Sequence, residues 1–446
     1  MKPRRSRKAE LAPNAMSGRK SHAEAAESTE FKMTELGPIP KDWDVKRLGE
    51  LWSSFKTGPF GSSLHAQDYI ENGTPLINPM HIQDGKIEPS TDMTVDDSTK
   101  HRLSAYKLSQ DDIVVGRRGE MGRAALVGEK ENGWLCGTGC FFLHLKESCC
   151  PSYIALYLRT PTSVASLNGE AVGTTLVNLN QKILSDLKLP LPPLAEQRRI
   201  AGALSDVDEL ISALGKLIEK KRNIKTGAMQ QLLTGKTRLP GFKGKWEEKR
   251  LGDCGFCFNG ITGKSGSDFG HGKACYITFL NVLTNVVIDS SIFEPVDICS
   301  GENQNEVRRG DIFFNTSSET PEEVGLCAVL EEDVKSVYLN SFCFGFRITD
   351  NDVSGRFLAY WFRASAGRAL MTSLAQGSTR YNLSKDAFRE ACVCIPPTLA
   401  EQKAIAAVLS DLDAEIAALE SDRAKYERIK SGMMQELLTG KTRLKP

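Results

Sequence analysis

Residues 194–239 read LAEQRRIAGALSDVDELISALGKLIEKKRNIKTGAMQQLLTGKTRL, and residues 399–444 read LAEQKAIAAVLSDLDAEIAALESDRAKYERIKSGMMQELLTGKTRL. The two stretches align without a gap at a constant offset of 205, and 27 of the 46 positions are identical. Self-similarity of this kind marks a repeat and decides the organisation of the chain. Each copy follows a double proline, Pro192-Pro193 and Pro396-Pro397. Fainter anchors extend the repeat upstream. Trp43, Arg47, Leu48 and Gly49 match Trp246, Arg250, Leu251 and Gly252; Asp112-Ile113 matches Asp311-Ile312; Ala155 and Arg159 match Ala359 and Arg363; Asn178-Leu179 matches Asn382-Leu383. The chain is a tandem duplication of a variable block followed by a near-constant one.

The constant block has the period of a helix. Leu204, Ile211 and Ile218 are spaced by seven, interleaved with Ile200, Val207 and Leu214; the second copy repeats this with Ile405, Leu409, Leu412, Ile416 and Leu419. These are a and d positions of a coiled-coil seam. Proline suits the first helical turn, and Gly235 and Gly440 suit the C-terminal stops. Gly227 and Gly432 are expected to kink the helices. With two such helices in one chain, the economical arrangement is an antiparallel pair. A helix from 194 to 234 would span on the order of 60 Å at ~1.5 Å per residue.

The variable blocks read as mixed α and β, an α/β (α+β) fold class in two tandem copies. The first offers strand-like runs at 74–78, 112–115, 124–127 and 141–145, a helix near 152–159 and a last strand at 187–191. The second repeats that order with runs at 276–282, 311–314, 326–330 and 342–348 and a helix at 355–363. The segments are therefore a tail at 1–32, a globular block at 33–191, a helical region at 192–240, a second globular block at 241–395 and a second helical region at 396–446.

Composition narrows the function classes. At 446 residues, 25 % charged and 40 % hydrophobic, the chain suits two or three globular domains. No run approaches the ~20 apolar residues of a membrane span. The formal charge is +1, so any nucleic-acid binding must come from local patches. The basic tail lacks the apolar core of a signal peptide; it is expected to be a disordered extension, or to precede a true start at Met16 or Met33. The twelve cysteines include the adjacent pair Cys149-Cys150 and others within strand-like runs, which suits reduced thiols in the cytoplasm. Cys254 and Cys257 have zinc-knuckle spacing, but His271 and Cys275 form no recognisable second pair.

Catalytic motifs fail on inspection. Gly235-Lys236-Thr237 and Gly440-Lys441-Thr442 resemble the end of a phosphate loop, yet Gln230 and Gln435 occupy the place of its first glycine. Asn78-Pro79-Met80-His81 lacks the second proline and aromatic ring of a base-methyltransferase motif. No carboxylate cluster suggests a nuclease, and no Gly-x-Ser-x-Gly elbow a hydrolase. What remains is loop chemistry suited to DNA. Arg117, Arg118 and Arg123 flank Gly119 and Gly122 at a strand turn, where arginine can reach phosphates or pair with guanine through two hydrogen bonds. Lys56, Ser62 and Ser63 flank a small-residue loop, and Asn178 and Asn180 lie near the first helical region. The second block offers Lys264 and Ser265, Thr316 and Ser317, and Arg380, Tyr381 and Asn382. Their recurrence at matching points in both halves favours a functional reading.

Together these features resemble the specificity (S) subunit of type I restriction–modification systems, over residues 33–446. The twin Pro-Pro, Leu-Ala-Glu-Gln and Leu-Leu-Thr-Gly-Lys-Thr-Arg-Leu blocks carry the resemblance, with Glu35–Trp43 and the turn at 117–123. It implies that 33–191 and 241–395 are target-recognition domains, each reading one half of a bipartite double-stranded DNA site. It also implies no catalytic site and no metal or cofactor in this chain. The helices would act as a spacer and dock two methyltransferase (M) subunits, which use S-adenosylmethionine; restriction (R) subunits would add ATP- and Mg2+-dependent cleavage. A stand-alone nuclease, a protein-only coiled-coil scaffold and the reader of a related methylation-based phage-defence system remain as alternatives.

Overall fold

The structure, a computed structural model, describes residues 30–60, 63–170 and 178–445. Ser62 and most of the basic tail lie outside them. Contacts divide the chain into two compact units, Met1–Asp208 with Arg428–Pro446, and Glu209–Glu427. This division cuts through the helical regions. The first unit holds the start of the first long helix (Leu194–Leu232) and the end of the second (Leu399–Leu437); the second unit holds the complementary parts.

Each unit is built on a four-stranded antiparallel sheet of the same strand order. In the first, Ala124–Leu126, Ile113–Gly116, Cys140–Leu145 and Trp52–Thr57 lie side by side; in the second, Cys327–Val329, Ile312–Asn315, Cys343–Ile348 and Gly255–Asn259. Ile113–Gly116 and Ile312–Asn315 are buried along their whole length, as expected of inner strands covered on both faces. The helices Pro151–Leu158 and Gly355–Arg363 cover the sheets. In the second unit Phe388 packs edge-on to Phe314 and Phe344, whose rings stack at 5.3 Å. Such pairing adds to the area-based burial energy.

Several boundaries differ from expectation. The run at 276–282 is not one strand: Phe269–Ile277 ends where Thr278 caps a helix, Phe279–Thr284, by accepting from the Asn281 amide. Trp52–Thr57 and Gly255–Asn259 are two further strands, beyond the runs read from the sequence. Residues 31–32, assigned to the tail, belong to a strand, Phe31–Thr34, paired with Gly37–Pro40. The long helices run through Gly227 and Gly432 without interruption.

The seam divides by function. Ile200 and Leu204 enter the core of the first unit, and Ile405 and Leu409 that of the second, so these four positions pack on globular domains. Ile218 and Ile416 are buried, whereas Val207, Ile211, Leu214, Leu412 and Leu419 are half-buried. Within the second unit the helices are antiparallel: Arg222 pairs with Glu420 at 2.6 Å, Lys221 with Glu415 at 2.5 Å, and Lys225 with Asp413. Ile218 and Ile416 lie on the same helix faces as these pairs, at three- and four-residue spacing. Ile416→Asp should therefore bury an unpaired carboxylate and cost about 3 kcal/mol, against about 1 kcal/mol for Ile211→Asp. Urea unfolding of the two variants checks the order; equal losses would place the packed seam elsewhere.

The repeated motifs at the helix ends form a clasp. In the second unit the buried Glu401 accepts from Arg238 Nε at 2.5 Å and Nη2 at 2.6 Å. Gln402 accepts from the Ser354 amide and donates to the carbonyls of Asp352 and Pro396. The first unit repeats this with Glu196, Gln197 and Arg443 at the 205-residue offset from Glu401, Gln402 and Arg238: Glu196 accepts from Arg443 at 2.7 and 2.6 Å, and Gln197 accepts from the Cys150 amide and donates to the Pro192 carbonyl. Glu196 also accepts from Trp43 Nε1 at 3.1 Å. Arg443 reaches Asp42 as well, and that hydrogen bond holds the Asp42 carboxyl below its ordinary value. The turn needs glycine: Gly440 has φ +73°, and a Cβ there would lie 2.5 Å from Pro40 Cδ.

Candidate nucleic-acid interface

Sheet register gathers the loops that carry candidate side chains. In the first unit Thr57 pairs with Phe141, Gly116 with Cys140 and Val115 with Ala124. The loops beginning at Gly58 and Arg117, and those ending at Gly139 and Arg123, therefore open at one end of the sheet. In the second unit Asn259 pairs with Phe344, Asn315 with Cys343 and Phe314 with Cys327. The loops at Gly260, Thr316, Leu326 and Phe342 open at the corresponding end. The matched Asn-Leu pairs arrive there too: Asn178 bridges Arg118, and Asn382 pairs with Ser317.

In the first unit the candidates separate into framework and surface. Arg123 donates to the Pro79 carbonyl at 3.0 Å and to Glu120 at 3.1 Å, which ties down its own turn. Asn180 caps the helix Gln181–Asp186, its Oδ1 accepting from the Ile183 amide at 2.9 Å. The Ser63 carbonyl accepts from Arg102. Lys56 is exposed, donates to the Ala105 carbonyl at 3.1 Å and lies over the Phe142 ring. Arg118 is exposed. Arg117 sits between the rings of Phe60 and Phe141, 5.5 and 5.2 Å from their centroids. Its Nε and Nη1 are buried and lack a hydrogen-bond partner among the described residues. Burial, then the neighbouring Arg118, push its guanidinium below the ordinary value.

In the second unit a cleft of about 400 Å³ is lined by Asn259, Thr262, Lys264, Thr316, Ser341 and Lys385, among others. Lys264 donates to Glu302 at 2.5 Å, and that bond pulls the Glu302 carboxyl down to about 2. Lys264 thus meets any ligand as half of an ion pair. Ser265 closes a turn, its amide donating to Asp268 at 2.7 Å. Arg380 is exposed and donates to Ser317 at 3.2 Å; Asn382 is exposed, and Tyr381 half-buried beside them on a strand, Tyr381–Leu383.

Residues 40–223 and 243–430 each match the family model of the type I restriction modification DNA specificity domain. The chain belongs to this family. Among similar proteins, the provisionally named type I restriction enzyme MjaX specificity subunit of Methanocaldococcus jannaschii is 27 % identical over 93 % of this chain and 97 % of its own length. The MjaVIII specificity subunit of the same organism is 24 % identical over 91 % and 94 %. The fold is that of the crystal structure of the S subunit from M. genitalium, with TM-score 0.57 and 17 % identity over 91 % of this chain and 98 % of the other.

Both specificity domains carry side chains at this sheet end that sequence reading missed. Lys385 donates to Asn259 Oδ1 and lies over the Phe344 ring. Phe60 and Phe342 are exposed there. No local pattern distinguishes them from other lysines and phenylalanines; only strand register does. The Asp-Ile anchors instead serve the opposite sheet end. Asp112 accepts from the Ser109 amide and meets His144, as Asp311 accepts from the Arg308 amide and pairs with Arg347.

The first specificity domain also holds a buried histidine. His81 Nδ1 accepts from the Asn78 amide at 3.1 Å, so Nε2 carries the proton and faces Ser90 Oγ at 3.1 Å. Burial lowers its pKa from the ordinary 6.5, against the opposing pull of Asp92. The unfolded chain therefore takes up a proton in mild acid that the folded turn does not. This contribution to stability is complete above about pH 6.5 and is lost as the pH falls below it. The melting temperature of the wild type should fall more between pH 7.5 and 5.5 than that of His81→Asn; parallel curves would mean that His81 does not carry this pH dependence.

Proposed function

We propose that this chain is the DNA-sequence-specificity subunit of a type I restriction–modification complex. It binds a bipartite double-stranded site, one half per specificity domain, and positions methyltransferase (M) and restriction (R) subunits. The observation that carries this reading is the pair of sheets with one topology whose corresponding ends bear unlike side chains. A common frame sets position, and differing loops confer sequence preference. Phosphate contacts from exposed cations such as Arg118 and Arg380 supply affinity.

The long helices support the partner reading. Leu210, Leu217 and Ile224 are spaced by seven and remain exposed, while Ile218 on the same helix is buried. That leaves an apolar stripe for a protein partner, which we assign to M subunits. Chemistry resides in the partners: S-adenosylmethionine on M, ATP and Mg2+ with R. The complex acts in the cytoplasm against incoming phage DNA.

The test is to co-express the chain with an M subunit and map methylated adenines in the host genome. Two unlike half-sites separated by unspecified bases are expected. The purified chain alone should transfer no methyl group from tritiated S-adenosylmethionine to DNA. An unbroken motif, or methyl transfer by the isolated chain, overturns the proposal.

A further inference from the structure

We propose that Phe60 and Phe342 are the apolar base contacts of the two reading faces; the inference rests on the DNA-reading function proposed above. Phe342 is 62 % exposed and Phe60 55 % exposed, although aromatic rings of this size usually enter a core. Both stand where sheet register opens the reading loops: Phe342 directly precedes Cys343, the partner of Asn315, and Phe60 follows the strand that ends at Thr57.

Both residues have backbone hydrogen bonds to neighbouring groups. The Phe342 amide donates to Asn340 Oδ1 at 2.9 Å, its carbonyl accepts from the Thr316 amide at 3.0 Å, and Asn340 is itself buried and donates to the Ile277 carbonyl. Phe60 lies over the Arg117 guanidinium, and its carbonyl accepts from the Ser63 amide at 2.7 Å. These bonds anchor the backbone of both residues while their rings stay exposed.

The surroundings select the ligand. Ser341 and Cys343, which flank Phe342, line the cleft that also holds Lys385 and Lys264, the latter paired with Glu302. Phe60 has Arg117 beneath it, followed in the chain by Arg118. An apolar ring next to cations fits a polyanion that also offers apolar surface, which describes DNA: phosphates for the cations, and a thymine methyl or an exposed base face for the ring. The two phenylalanines do not occupy matching repeat positions, since Thr262 follows the second strand where Phe60 follows the first, and Gly139 precedes the first-unit strand where Phe342 precedes the second. The two faces therefore reach the same provision from different loops.

The experiment uses the full chain assembled with its M subunit and duplexes carrying the motif that the wild-type complex methylates. Phe342→Ala should weaken specific binding roughly 5- to 100-fold, the range of a base–aromatic contact. Binding to unrelated duplex at the same salt should change less than about 2-fold, because the phosphate contacts remain. Phe342→Tyr should retain most of the affinity. Replacing thymine by deoxyuracil at each position of the second half-site identifies a methyl contact by loss of affinity in the wild type alone. A rise in 2-aminopurine fluorescence in the wild type alone identifies contact with an unstacked base. Phe60→Ala should act likewise on the first half-site only. If Phe342→Ala binds and methylates like the wild type, or weakens assembly with M while leaving DNA preference intact, the inference is overturned. A wild-type complex with no bipartite motif would instead sink the functional reading beneath it.

Discussion

Glu401→Ala should destabilise the second unit by about 3–5 kcal/mol, the cost of stranding one partner of a buried ion pair. Glu401 is fully buried and is the carboxylate that receives both Arg238 Nε and Nη2. Without it, Arg238 keeps, among the described residues, the carbonyls of Lys243 and Gly244. The chain between the first long helix and Trp246 would lose its anchor. Glu196→Ala should cost less, because Arg443 retains Asp42. Replacing both members of the second clasp, Glu401→Leu with Arg238→Met, should recover much of the loss, since a well-packed apolar pair avoids desolvating two charges. Calorimetry resolves the two units better than a single two-state fit. A Glu401→Ala protein melting within about 1 °C of the wild type would show that the clasp contributes little.

Replacing residues 43–190 with the corresponding block of another specificity subunit should change one half of the methylated motif and leave the other half intact. The loops to be exchanged open from the sheet of the first unit, while Thr316, Ser317, Arg380 and Lys385 all lie in the second unit. Within the retained half, a single base-reading side chain should account for ~1–3 kcal/mol of discrimination. Removing a phosphate contact should weaken binding to all sequences alike and lower the salt slope by about one. Methylome mapping of the chimera decides the matter. If both halves of the motif change together, the two-reader arrangement is wrong.

The duplication and the helices were legible because they rest on periodicity and self-similarity, which are properties of one chain read in order; antiparallel pairing followed only from the economy of packing two such helices on each other. Heptad spacing from Leu204 to Ile218 states which face of a helix is apolar whatever that face packs on. It does not state the partner: Ile200 and Ile405 share the spacing of Ile218 and Ile416, yet pack in globular cores. The Leu-Ala-Glu-Gln and Thr-Arg-Leu motifs were visible as repeats, but their use as a clasp was not, because Glu196 meets Arg443 across 247 residues.

The reading faces show the same limit. Arg117, Arg118, Asn178, Thr316, Ser317, Arg380 and Asn382 were found as polar loop residues at recurring positions, and strand pairing brings them to corresponding sheet ends. Which of them are free to meet a ligand depends on neighbours distant in sequence. Lys264 is engaged by Glu302, Arg123 by Pro79 and Arg117 by two rings, while Lys385, Phe60 and Phe342 enter the face through register alone. Local pattern reports a residue's type and its periodic face. Hydrogen-bond partners and burial are set by contacts between distant parts of the chain, so they exist only once the sheets have formed.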